Sequence, residues 1–130
     1  PVAPNPYTDH EDAFNLGKAK FEEGDIADAI LALEAHVLKS ESDTEGWRLL
    51  GLAHAENDDD DKAIECLENA VSVDKGNNKA LVALSVSYVN NSKPADARRV
   101  LTAWVNQVRT IPSFLSLSLC LPSTNVRHPL

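Results

Sequence analysis

The chain has 130 residues, 43% of them hydrophobic and only 5% aromatic, with no methionine; that is the length of one domain, with a core to be filled by Leu, Val and Ala. Its 20 acidic and 12 basic residues give a net charge of −8, and 17 of the acids but only 5 of the bases lie in residues 1–65, which disfavours binding to a phosphate backbone. No apolar run approaches the ~20 residues that span a bilayer, so direct membrane insertion is not expected either.

Residues 1–9 read as a linker. The opening PVAPNPYTDHED lacks the basic start and apolar stretch of a signal peptide and reads as an internal boundary. Beyond it, apolar spacing predicts six helices in three pairs, over 10–23 and 25–39, 44–57 and 60–73, and 78–91 and 95–109. The breaks are Glu23-Gly24-Asp25, the run from Asn57 to Asp61, and Asn91-Ser92-Lys93-Pro94. Gly24 suits the left-handed residue that ends a helix, and Pro94 suits a first helical turn. Asp43 or Thr44, and Asn77 or Asn78, are candidate N-caps.

The pairs are copies of one unit. At a spacing of 34 residues, Leu16, Leu50 and Leu84 fall in register, as do Gly17, Gly51 and Ser85; Ala29, Ala63 and Ala97; Leu33, Leu67 and Leu101; and Val37, Val71 and Val105. Every ladder is apolar or small, as a packing repeat requires. Small residues where helices cross let ridges enter grooves. One pair cannot bury its apolar face, but stacked pairs can.

This pattern resembles the tetratricopeptide repeat, most closely in the second unit, where Trp47, Leu50-Gly51, Ala63, Leu67 and Ala70 fall on the family's signature positions. The first unit departs at His36, and the third at Ser85 and Trp104. The resemblance implies an all-α solenoid of three helix-turn-helix repeats (10–43, 44–77, 78–109) in a right-handed superhelix, with an irregular tail at 110–130.

The stretches NPYTDHEDAF (5–14), EEGDIADAI (22–30), LGLAHAEN (50–57) and LVALSVSYVN (81–90), together with Trp104, narrow the resemblance. They are similar to the first three repeats of peroxisomal import receptors that read type-1 targeting signals, or of a close paralogue that is an accessory subunit of pacemaker channels. The resemblance implies a protein-binding module, the N-terminal half of a domain that recognises Ser-Lys-Leu-type C-terminal tripeptides of cargo, in a cytoplasmic protein that cycles to the peroxisome membrane. By the same resemblance Asn57 and Asn90 are the peptide-binding residues, and Leu52, Ala55, Val86 and Val89 line the groove. An amide can pair with both the N–H and the C=O of an extended peptide without reading its side chains. Because most of the cargo-contacting Asn residues of such receptors lie in later repeats, these three are expected to bind the tripeptide weakly or not at all. The alternative is a repeat scaffold, or a co-chaperone or channel-accessory adaptor, with no tripeptide specificity. Adaptors that clamp an acidic C-terminus carry Lys and Asn on their first helices and Lys plus Arg in the third repeat; the matching positions here are Phe14, Lys18, Leu49, Lys79 and Ala83, where only Lys79 agrees.

The tail alternates Leu115, Leu117, Leu119 and Leu121 with Ser116, Ser118 and Cys120, which is strand periodicity. It reads either as a disordered or adventitious end or as a cover for the last helix. That helix is expected to present Val100, Leu101, Trp104, Val105 and Val108, through which the chain could also self-associate. No cofactor, metal site or enzymatic activity is expected. Asp58–Asp61 lacks the Gly and Glu of an EF-hand loop and reads as a solvated turn entering a helix. His10, His36, His54 and His128 form no zinc pattern, and His36 and His54 read as helix residues that pack or face solvent. Cys66 reads as a small hydrophobe; Cys66 and Cys120 make no disulfide framework, in keeping with a reducing compartment. No phosphate-binding or nucleophile motif is present.

Overall fold

The computed structural model describes residues 3–109; the strand periodicity of the tail lies outside the described residues. Six helices follow one another: α1 (Ala13–Glu23), α2 (Ile26–Lys39), α3 (Thr44–Glu56), α4 (Asp60–Val73), α5 (Asn78–Asn90) and α6 (Pro94–Arg109). Each packs chiefly on its neighbours in sequence, so the chain forms a linear stack of hairpins. Boundaries agree with the sequence reading to within a residue except at α1, which starts at Ala13 rather than residue 10. There the chain first makes a turn, His10 N–H donating to the Tyr7 carbonyl at 3.0 Å, and the Asp12 side chain then accepts from Asn15 N–H. Asp25, Asp43, Asp59 and Asn77 cap the next four helices in the same way.

One turn recurs inside every hairpin. Gly24, Asp58 and Ser92, spaced by 34, all have positive φ, at 86°, 57° and 55°. The N–H that follows each of them reaches back to the carbonyl of Lys20, His54 or Tyr88 at 2.9, 2.9 and 2.7 Å. This is the closing bond of a Schellman-type helix end. Only the first copy uses glycine.

The core has two clusters. One centres on Leu33, Val37, Leu50 and Ala53, the other on Leu67, Leu81, Leu84, Tyr88 and Val100. The ladder of small residues has a steric reason: a Cβ on Gly17 would stand 2.6 Å from Leu33 Cγ, and one on Gly51 would stand 2.6 Å from Leu67 Cγ. Each leucine sits over a bare stretch of the partner helix. His36 compensates locally in a similar way. Its ring occupies a position filled by Ala70 one repeat later, and Gly46 of α3 leaves it room, since a Cβ there would stand 2.8 Å from His36 Cδ2. The ring lies 5.1 Å from that of Phe14, and Nε2 is 2.6 Å from Asp43 Oδ2.

The third repeat is not closed in this way. Leu33 and Leu67 are fully buried, whereas Leu101 is 41% exposed. Val105 and Val108 are also exposed, and Trp104 is half-buried. Val100 departs from the sequence reading of this face: it is buried with Ala97 in the second cluster. Ala97 and Val100 share the stripe of α6 that faces α5, and Leu101, Val105 and Val108 lie on the neighbouring stripe about 100° around the helix.

Candidate functional site

The first helices α1, α3 and α5 build one wall of the stack. On α5, Lys79, Val82, Val86 and Val89 follow helical spacing down a single stripe, and the three valines are 42, 53 and 59% exposed. Moving back 34 residues places Glu45, Arg48, Leu52 and Ala55 on α3, where Arg48, Leu52 and Ala55 are half-buried. Moving back again places Glu11, Phe14, Lys18 and Phe21 at α1. The wall is therefore mixed in charge at its start and apolar at its end.

A hollow of about 450 Å³ opens at the apolar end, lined by Arg48, Leu52, Asn78, Lys79, Val82, Ala83, Trp104 and Val108. Arg48 is held by a two-pronged pair with Glu45, Nε to Oε1 and Nη2 to Oε2 both at 2.8 Å. This pairing keeps the Glu45 carboxyl below its ordinary range, with Lys79 adding to the effect, and raises the Arg48 guanidinium further. The Trp104 Nε1–H is sealed from solvent and has no hydrogen-bond partner among the described residues.

Of the groove residues expected from the sequence, Leu52 lines this hollow, while Ala55, Val86 and Val89 lie further along the same two helices. Asn57 and Asn90 are both exposed. Asn57 is the C-cap of α3, its N–H donating to the carbonyls of Ala53 and His54, both at 3.1 Å. Asn90 is the last residue of α5. The two are one position out of register: 34 residues beyond Asn57 stands Asn91, whose side chain donates to Asp61 Oδ1 at 2.7 Å. Both expected amides sit at the turn end of their helices, on the rim, away from the hollow at the opposite end of α5. Sequence reading missed Arg48 and Val82; the repeat spacing that links Leu52 to Val86 also links Arg48 to Val82 and would have found them.

The outer side carries two further grooves that are copies of each other. The first, about 360 Å³, lies between α2 and α4 and includes Glu34, Val37, Leu50, His54, Glu65 and Cys66. The second, about 520 Å³, lies between α4 and α6 and includes their counterparts Glu68, Val71, Leu84, Tyr88, Arg99 and Val100. Burial pushes the Cys66 thiol up to about 12, which leaves it a packing residue. Among the described residues no group of three or more His, Cys, Asp or Glu side chains is placed to hold a metal, and no helix is long and apolar enough to cross a membrane.

No protein-family profile matches the chain. Among curated proteins, Peroxisome biogenesis protein 5 of Arabidopsis thaliana is 44% identical over 101 residues, covering 78% of this chain and 14% of that protein. The PEX5-related protein of Mus musculus is 40% identical over 103 residues, covering 79% of this chain and 18% of its own length. The peroxisomal targeting signal receptor of Yarrowia lipolytica is 37% identical over 102 residues, covering 78% and 17%. The chain thus spans less than a fifth of each of these relatives. Solved structures share the fold. MamA of Desulfovibrio magneticus superposes with a TM-score of 0.74 at 24% identity, over 78% of this chain and 58% of that one. The TPR2B domain of yeast Sti1, solved with a pHsp70 partner, gives 0.71 at 22% identity, over 75% and 78%. The chain is therefore an all-α tetratricopeptide-repeat solenoid whose sequence kinship lies with the peroxisomal targeting signal receptors and the PEX5-related proteins.

Proposed function

We propose that this chain is the N-terminal part of a receptor domain that binds the C-terminal Ser-Lys-Leu-type tripeptide of proteins destined for the peroxisome. The observation that carries this reading is the similarity to a peroxisomal targeting signal receptor, 37% identity over 102 residues and 78% of this chain. Two structural features support it. The side chains of Asn57 and Asn90 stand exposed on the rim with no bond to another described residue, free to pair with an extended backbone. The stripe Val82, Val86 and Val89 offers apolar surface beside them. The reading divides the chain into a linker (1–9), three repeats (10–43, 44–77, 78–109) and a tail (110–130). It assigns the chain to the cytoplasm, with passage to the peroxisome membrane.

The same reading makes this a partial site. Among the described residues nothing covers the α6 stripe of Leu101, Val105 and Val108, whereas Leu33 on α2 and Leu67 on α4 are fully buried. Further repeats, or self-association through α6 and the tail, would cover it. The test is titration of a labelled peptide ending in Ser-Lys-Leu, alongside one ending in amidated Leu. We expect weak binding to this chain, and tighter binding to a longer protein, which falls on Asn57→Ala. Micromolar or tighter binding to this chain would overturn the partial-site reading. An Asn57→Ala change without effect in the longer protein would favour a scaffold without tripeptide preference.

A further inference from the structure

The Asn57 rim is tied to a buried histidine. His54 is 4% exposed and is the one buried histidine among the described residues. Its ring lies in the outer groove between α2 and α4, with Nε2 at 3.8 Å from Glu34 Oε1 and Nδ1 sealed from solvent without a partner among the described residues. This pocket accommodates the neutral ring with its proton on Nε2, facing the carboxylate. That tautomer leaves only an acceptor lone pair unsatisfied. A second proton would create an N–H at Nδ1 with no acceptor, together with a charge inside the stack. One repeat later the same position carries Tyr88, whose hydroxyl donates to Glu68 and whose pKa is pushed up to about 12. The middle repeat has thus exchanged a partnered phenol that does not titrate near neutrality for an imidazole that does.

The backbone of His54 carries the consequence to the rim. Its carbonyl accepts the N–H of Asn57 at 3.1 Å and of Asp59 at 2.9 Å, the bonds that close α3 and hold Asp58 in the left-handed region. The Asp59 carboxylate then caps α4 through Lys62 N–H at 3.2 Å. The His54 backbone thus contacts both ends of this turn.

We propose that His54 is a proton-operated latch: neutral, it holds the end of α3 and the Asn57 amide in place, and protonated, it releases them. The proposal rests on the reading of Asn57 as a peptide contact. Burial pushes the pKa of His54 below its ordinary 6.5; Glu34 from α2, and Asp59 and Glu65 at α4, partly oppose this, and Lys62 adds to it. Cys66 on α4 stays a neutral thiol. A base whose folded pKa is lowered has its stabilisation intact above 6.5 and loses it as pH falls through that value toward the folded pKa. The latch is closed at neutral pH and opens on acidification.

The test is amide and imidazole NMR of the whole chain from about pH 7.5 to about pH 5. We expect the Asn57, Asp58 and Asp59 amides to shift together with the His54 ring, with a common midpoint below the ordinary 6.5 of an imidazole. Glu34→Gln removes a charge that favours the imidazolium and should move that midpoint lower. His54→Gln should abolish the shifts. Amides of Asn57–Asp59 that do not follow His54, or a midpoint indifferent to Glu34→Gln, would overturn the latch; the Glu34 arm decides even if His54→Gln does not fold. None of these readouts uses a peptide, so failure of the latch and failure of the cargo reading are separable.

Discussion

Leu33, Leu67 and Leu101 occupy the same rung of the repeat, yet replacing each with alanine should have unequal cost. Leu33 and Leu67 are fully buried, each pressed onto a glycine whose missing Cβ makes its seat. Removing either loses the full transfer term and leaves a cavity between helices that cannot close, at about 3–4 kcal/mol. Leu101 keeps 41% of its surface in water, so only the buried part of the transfer term is lost and no closed cavity forms. That cost is about 1 kcal/mol. The difference, ~2–3 kcal/mol, is readable as urea midpoints of the helical circular-dichroism signal, compared at equal slope. If Leu101→Ala costs as much as Leu67→Ala, the α6 stripe is covered and the argument for an open end fails. If Leu67→Ala costs less than about 1.5 kcal/mol, the interlock of leucine over glycine is not what holds the hairpin.

Three further outcomes follow from the same packing. Gly51→Ala gains about 1 kcal/mol of helix propensity but drives a methyl to 2.6 Å from Leu67 Cγ; overpacking of about 1–3 kcal/mol should win, and a rise in the thermal midpoint would refute this. Asp43→Ala removes both the cap on Glu45 N–H at 3.1 Å and the 2.6 Å partner of His36; a loss of about 1–2 kcal/mol is expected in urea unfolding, and less than half of that would show the cap is dispensable. Cys66, its thiol pushed up to about 12, should resist alkylation at neutral pH in the folded chain; rapid labelling of a Cys120→Ser variant, followed by mass spectrometry, would contradict its burial.

The hairpins were legible because their packing is local. Gly17 meets Leu33 and Gly51 meets Leu67 within one repeat, so the requirement for a small residue opposite a large one is written at a constant spacing. The helix ends were legible to within a residue except at the start of α1, where a turn precedes the Asp12 cap; the left-handed residues that follow α3 and α5 were not. Asp58 and Ser92 carry no local sign of a left-handed conformation; only their 34-residue spacing from Gly24 gives it away. For the site, resemblance pointed to Asn57 and Asn90, whose numbers already put them one position out of register, but could not show that the hollow in the wall lies at the other end of α5 beside Arg48, Lys79 and Val108.

By itself, the order of residues determined the period, the helices and the inward-facing ladders, since each depends on neighbours within one hairpin. Whether a given rung is closed was decided only in three dimensions, because burial at the edge of a stack depends on the next layer and not on the residue's own repeat. Leu101 matches Leu67 in sequence and differs from it in water. His54 stands where Tyr88 stands one repeat later, and only the packing around it leaves one nitrogen of its ring without a partner among the described residues.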